Sequence, residues 1–174
     1  MAYTSSEANK LLRKLKEELE MENESSVKGR TFTAAIEENI EDVRPEFSLS
    51  GSESRIDVLE KKIRTVKHAI NEFNVTNKIS DGEGGRITID EALVLIPMLT
   101  AKKKRLSALA RMAPKSRHTD RYVSGRFIEY DYANFSIDEA KKMLEATADR
   151  LTKVQLALDE ANNTITMEID LSSI

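Results

Sequence analysis

Apolar positions recur along this chain at helical spacing, and in three places they form a long seam. Ile137, Ala140, Leu144, Thr147, Leu151, Val154, Leu158 and Ala161 alternate at intervals of three and four residues. That alternation keeps one stripe of a helix apolar and is a heptad seam, with Thr147 as its single polar member. Ser136 and Glu139 stand at its start in the arrangement of a capping box, hydroxyl and carboxylate each satisfying a free N–H. A helix is therefore expected over about 136–162. Ile56, Leu59, Ile63, Val66, Ile70 and Phe73 repeat the spacing and predict a second over about 53–78. Thr88 and Glu91 form another capping-box pair and open a third, over about 89–113, through Ala92, Ile96, Leu99, Lys103, Leu106, Ala110 and Ala113. Lys103 interrupts that seam, and Pro97 inside it removes a helical N–H and is expected to kink the helix. A shorter first helix, about 5–22, carries Ala8, Leu12, Leu15 and Leu19 on one face.

Period-two patterns predict short strands between and after these helices. TMEIDL sets Met167, Ile169 and Leu171 on one side, and FIEYDY does the same for Ile128, Tyr130 and Tyr132. TFTAAIEENIEDVRPEFSL has strand-like ends around a proline. The strands expected are about 31–36, 44–49, 122–132 and 164–171. SDGEGGR, with three glycines, reads as the turn between the second and third helices, which makes them antiparallel neighbours. The fold class is mainly α: one domain over residues 1–174, an antiparallel bundle of three to four long, amphipathic, coiled-coil-like helices with a few short β-strands at one end.

Composition narrows the chemistry more than it defines it. No cysteine means no disulfide, thiol nucleophile or thiolate metal site, and nine aromatics without Trp imply a core of aliphatic side chains. MAYTSSEANK has neither the basic nor the apolar region of a signal peptide. The longest nearly unbroken apolar run, Ala92 to Leu99, is too short to span a bilayer as a helix. A cytoplasmic location without a membrane span is expected.

Three stretches, SRIDVLEKKIRTVKHAINEFN, GGRITIDEALVLIPMLTAKKKRLSALA and KVQLALDEANNTITMEIDL, together resemble the septicolysin-like family of small, mostly uncharacterised bacterial helical proteins. The likeness covers roughly Ser54 to Leu171. It implies a helix-rich, self-associating fold and brings no catalytic residues with it. The family name alludes to a cytolysin, which leaves a membrane-active role as one alternative.

Residues 102–126 concentrate charge: nine Lys or Arg and one acid give +8, while the other 18 bases and 29 acids give −11. Cations in the second half of a helix are favoured by its dipole. Lys102 and Arg105 also have acids available on other helices, at Glu139, Glu145, Asp149 and Glu160. The following loop sets Lys115, Arg117, Arg121 and Arg126 beside Tyr122 and Phe127, a combination suited to single-stranded nucleic acid. Lys102, Arg105, Lys115, Arg117, Arg121, Arg126 and Tyr122 are the candidate contacts of a nucleic-acid-binding alternative through residues 102–126.

Elsewhere the chemistry is thin. His68 and Glu72 share a helical surface where a metal could bridge them, although an exposed His beside an acid is the commoner case. The glycines of the turn could form an anion nest, but Asp81 and Glu83 would repel phosphate, and the ligand pattern of an EF-hand is missing. Glu129 and Asp131 would share one face of a strand, with Arg126 nearby to neutralise them. No catalytic residue, cofactor or metal is assigned, and enzymatic function is not expected. Long helices with narrow seams, together with outward Val58, Leu95 and Leu109, favour a non-enzymatic assembly protein whose partner is itself or another helical protein.

Overall fold

A computed structural model describes residues 1–118 and 129–174. In chain order its elements are β1 (Ala2–Thr4), α1 (Ser5–Gly29), α2 (Ile40–Val43), α3 (Leu49–Thr76), β2 (Lys78–Ser80), β3 (Arg86–Thr88), α4 (Ile89–Ala110), β4 (Lys115–Arg117), β5 (Tyr130–Tyr132), α5 (Ile137–Thr164) and β6 (Thr166–Glu168). The chain is thus mainly helical with a few short antiparallel strands. It divides into two compact units, Met1–Asn74 with Ala161–Ile174, and Val75–Glu160.

In the first unit α1 and α3 run antiparallel. Ala8 and Leu15 share a buried cluster with Val66, Ile70 and Ile169, while Glu22 meets the start of α3. The Glu22 carboxylate accepts from Ser52 Oγ at 3.2 Å and from Arg55 Nε and Nη2 at 2.9 and 2.7 Å. The Arg55 hydrogen bonds hold that carboxyl below its ordinary pKa against the opposing effect of desolvation. Ser26 and Ser52 are fully buried, and side chains this small let helix backbones approach closely. β1 pairs antiparallel with β6, Tyr3 opposite Met167, and both side chains pack on the same cluster. Thr4 and Glu7 form a capping box: Thr4 Oγ1 accepts from Glu7 N (3.2 Å), and Glu7 Oε2 accepts from Thr4 N (2.8 Å).

In the second unit, the β2–β3 hairpin leads directly into α4. Thr88 ends β3 and caps α4, accepting from Glu91 N (3.1 Å) while its own N–H donates to Glu91 Oε2 (2.7 Å). α4 and α5 are antiparallel: Leu93 and Pro97 line a groove with Leu156, and Ala110 lies beside Ile137 and Lys141. Their seams supply buried Ile89, Ala92, Leu99 and Leu106 from one helix and Ala140, Thr147, Leu151, Val154 and Leu158 from the other. α4 runs unbroken through Pro97, which is exposed. Water can therefore hydrate the Leu93 carbonyl that the missing N–H leaves unpaired.

The seams sit close to where the sequence places them. Ile56, Val66, Ile70 and Phe73 are buried, and Leu59, Ile63, Ile137 and Leu144 are half-buried. Helix ends differ. α1 continues past 22 to Gly29 because its last turns bury Ser26 and pair Lys28 with Glu24 (3.7 Å), so its contact face is no longer apolar in composition. α3 starts at Leu49, where Ser48 Oγ accepts from Gly51 N (3.1 Å), and it stops at Thr76 because Lys78–Ser80 enters a hairpin. α4 ends at Ala110, leaving Ala113 exposed beyond it.

The strands expected over 31–36 and 44–49 do not form. Almost every residue from 31 to 48 is exposed, so a strand there would have no face to bury and no ladder to join. Asn39 instead caps the short α2, its Oδ1 accepting from Glu41 N at 3.3 Å. The expectation over 164–171 contracts to β6; of that over 122–132, Tyr130–Tyr132 forms β5, and residues 122–128 lie outside the described residues.

Ser26 Oγ is buried without a hydrogen-bond partner. Ser26→Ala removes an unsatisfied hydroxyl and places a better helix former, so it should raise unfolding free energy by about 0.5–1 kcal/mol in urea melts. A loss of stability would show that the hydroxyl is bonded.

Candidate functional site

Three surfaces are candidates for function: the glycine turn, the basic segment and the outer face of the helices. The turn is closed on itself. Asp81 Oδ1 accepts from Glu83 N (2.9 Å) and Gly85 N (2.8 Å), and these bonds keep its carboxyl below the ordinary range. Two of the amides that could cradle an anion, those of Glu83 and Gly85, already hold this carboxylate, and that of Gly82 donates to Ser80 Oγ (3.2 Å). Arg150 of α5 donates from Nε to the Asp81 carbonyl (3.1 Å) and pairs through Nη1 with Glu83 (2.9 Å). The turn is therefore buckled onto α5.

The basic segment has two parts. Lys102, Lys103, Lys104 and Arg105 are all exposed on α4. None of them forms an ion pair among the described residues, so the acids at 139, 145, 149 and 160 do not neutralise Lys102 and Arg105 as expected. Beyond α4, β4 pairs antiparallel with β5, Lys115 opposite Tyr132 and Arg117 opposite Tyr130. Alternation in a strand puts these four side chains on one face and Ser116 with Asp131 on the other. Lys115 Nζ lies 3.7 Å from the Tyr130 ring centroid and 5.4 Å from that of Tyr132, a cation–π contact. Asp131 meets His118 Nδ1 at 2.9 Å. Arg121, Tyr122 and Arg126 lie outside the described residues.

In the sequence Tyr130 and Tyr132 read as strand residues only. Their role beside Lys115 depends on the pairing of β4 with β5, and KSR alone gives little strand signal. Among the described residues no group of three or more His, Cys, Asp or Glu is placed to hold a metal ion; His68 is exposed on α3.

The third surface is the outward side of α4. Leu93 is 46% exposed, Val94 60% and Met98 63%, with Leu156 of α5 at 64%. A groove of about 650 Å³ lies between the two helices, lined by Leu93, Ile96 and Pro97 on one side and Leu156 and Leu158 on the other. The aliphatics expected to face outward are different ones. Leu95 and Leu109 are half-buried because they flank the buried stripe, and Val58 is only just exposed.

No family model matches this chain, and no curated protein matches it. A solved structure does: a functionally unknown conserved protein from Corynebacterium diphtheriae, at 17% sequence identity and a TM-score of 0.54. The alignment covers 97% of this chain and 100% of that one. At such identity the likeness concerns the fold alone.

The turn makes a direct prediction. Gly82 has φ of 80°, and an added Cβ would lie 3.1 Å from the Arg150 carbonyl oxygen; Gly84, at φ of 97°, has open space around it. Gly84→Ala should cost about 1–2 kcal/mol through backbone strain alone, and Gly82→Ala more than that because it also pushes the turn off α5. Equal losses in thermal melts would remove the role assigned to the Arg150 buckle.

Proposed function

We propose that this chain is a non-enzymatic helical assembly protein that associates with further copies of itself, its long helices forming an antiparallel bundle. The observation that carries this reading is the uncovered apolar run of α4, Leu93, Val94, Pro97 and Met98, beside Leu156. Apolar side chains gathered on one face mark interaction surfaces more often than scattered ones do. The implied resemblance to septicolysin-like proteins points the same way. Among the described residues no helix is long and apolar enough to cross a membrane, so nothing adds weight to the membrane-active alternative.

A second reading is supported by the β4–β5 face. Exposed Tyr130 and Tyr132 offer rings on which bases can stack, and Lys115 and Arg117 offer cations for phosphates. The excess of acids over the rest of the chain disfavours a polyanion, and Lys115 is already engaged with the rings.

Size-exclusion chromatography with light scattering, read at 260 and 280 nm, separates the two. With no Trp and four Tyr the protein absorbs weakly, so bound nucleic acid is conspicuous. The assembly reading predicts a single mass at a multiple of 19.6 kDa and a protein-like absorbance ratio. A monomer at every concentration contradicts it. A raised 260 nm signal that high salt removes, and that Lys115→Ala with Arg117→Ala abolishes, would transfer the function to the hairpin face.

A further inference from the structure

We propose that the outward face of α4 is a self-complementary, two-fold contact for a second copy of this chain, with Asp90 of each copy meeting Arg105 of the other. This rests on the assembly reading above and names the surface it uses.

The buried stripe of α4 runs through Ile89, Ala92, Leu99 and Leu106, with half-buried Ile96 along the same line. Diametrically opposite it, at steps of three and four, lie Asp90, Val94, Pro97, Ala101 and Arg105, every one of them exposed. Leu93 and Met98 widen the apolar centre of that line. An acid therefore stands at one end, a base at the other, and an apolar patch between.

The order is symmetric about the midpoint between Pro97 and Met98. Laid antiparallel across a two-fold axis at that midpoint, position 90 falls opposite 105, 94 opposite 101, and 97 opposite 98. Isologous contacts require this kind of self-complementarity, because the same patch must serve as both partners. Pro97 and Ala101 are short, so two helices can approach closely at the centre while Leu93 and Met98 fill the flanks.

The terminal charges are available for such a contact. Asp90 and Arg105 form no ion pair among the described residues. Glu91, by contrast, is occupied by Thr88 at the cap. A different helical partner would need the reverse order of charges around a matching apolar patch; a second copy supplies both.

Charge exchange tests the proposal. Asp90→Arg sets a new arginine of one copy against Arg105 of the other, and Arg105→Glu sets a new glutamate against Asp90. Each variant alone should weaken self-association by at least about tenfold, as like charges at an interface do. An equimolar mixture of the two should recover it, because both contacts of the mixed dimer pair opposite charges. Light scattering on the variants and the mixture, with circular dichroism to check that both fold, reads the result. Met98→Glu, which leaves the charges at 90 and 105 alone, should also weaken association.

If wild type is monomeric throughout, the assembly reading itself fails. If wild type associates but Asp90→Arg, Arg105→Glu and Met98→Glu leave its mass unchanged, assembly stands and this face is overturned. Folded single variants that dissociate but do not recover on mixing would equally overturn the Asp90–Arg105 contact.

Discussion

A helix of 28 residues is about 42 Å long, and its narrow apolar seam must be covered along that length for it to persist. Both α3 and α5 face this demand. Within each unit it is met by an antiparallel neighbour, α1 beside α3 and α4 beside α5, through Ala8, Leu15, Val66 and Ile70 in one and Leu99, Leu106, Leu151 and Val154 in the other. Covering one stripe leaves the opposite stripe exposed. What the structure offers to other molecules follows from that geometry, since a long helix paired on one side still presents a full second face.

Polar contacts set the register that the seams leave open. Heptad seams can slide by a turn with little loss of apolar contact. Glu22 with Ser52 and Arg55 stops α1 sliding on α3, and Arg150 with Asp81 and Glu83 holds the β2–β3 turn at one level of α5. Two capping boxes then mark where α1 and α4 begin, and in each the Thr also ends a strand. Strand pairing and helix start are coupled through a single residue, so the short ladders align the helices they precede.

Seam positions and the Thr88–Glu91 cap were legible in the sequence because they depend on residues within one or two turns of each other. The pairing of Ala2–Thr4 with Thr166–Glu168 was not, since three-residue ladders between distant segments have almost no local signature. The last turns of α1 were missed because their buried residue is Ser26 rather than an aliphatic. The strands expected over 31–36 and 44–49 show the opposite failure: alternation on an exposed segment is a pattern without a core to use it. The candidate surfaces divide in the same way. Lys102, Arg105, Lys115 and Arg117 stand out as a charge run, but Tyr130 and Tyr132 join them only through tertiary pairing. The apolar outer line of α4 was visible as a hydrophobic run and was assigned to the wrong aliphatics, because the phase of the helix depends on which stripe is buried.

The central claim is that two copies meet along the outer face of α4 with a two-fold axis near Met98. The chain has no cysteine, so single substitutions at positions 90, 98 and 105 accept spin labels at one site each. Dipolar distance measurements between labels on the two copies test the geometry directly. The account predicts the shortest separation at 98, with those at 90 and 105 similar to each other and longer, displaced along the helix by about 22 Å for fifteen residues of rise. An equal or reversed order of distances, or no measurable coupling at 98 in an associated sample, would contradict it.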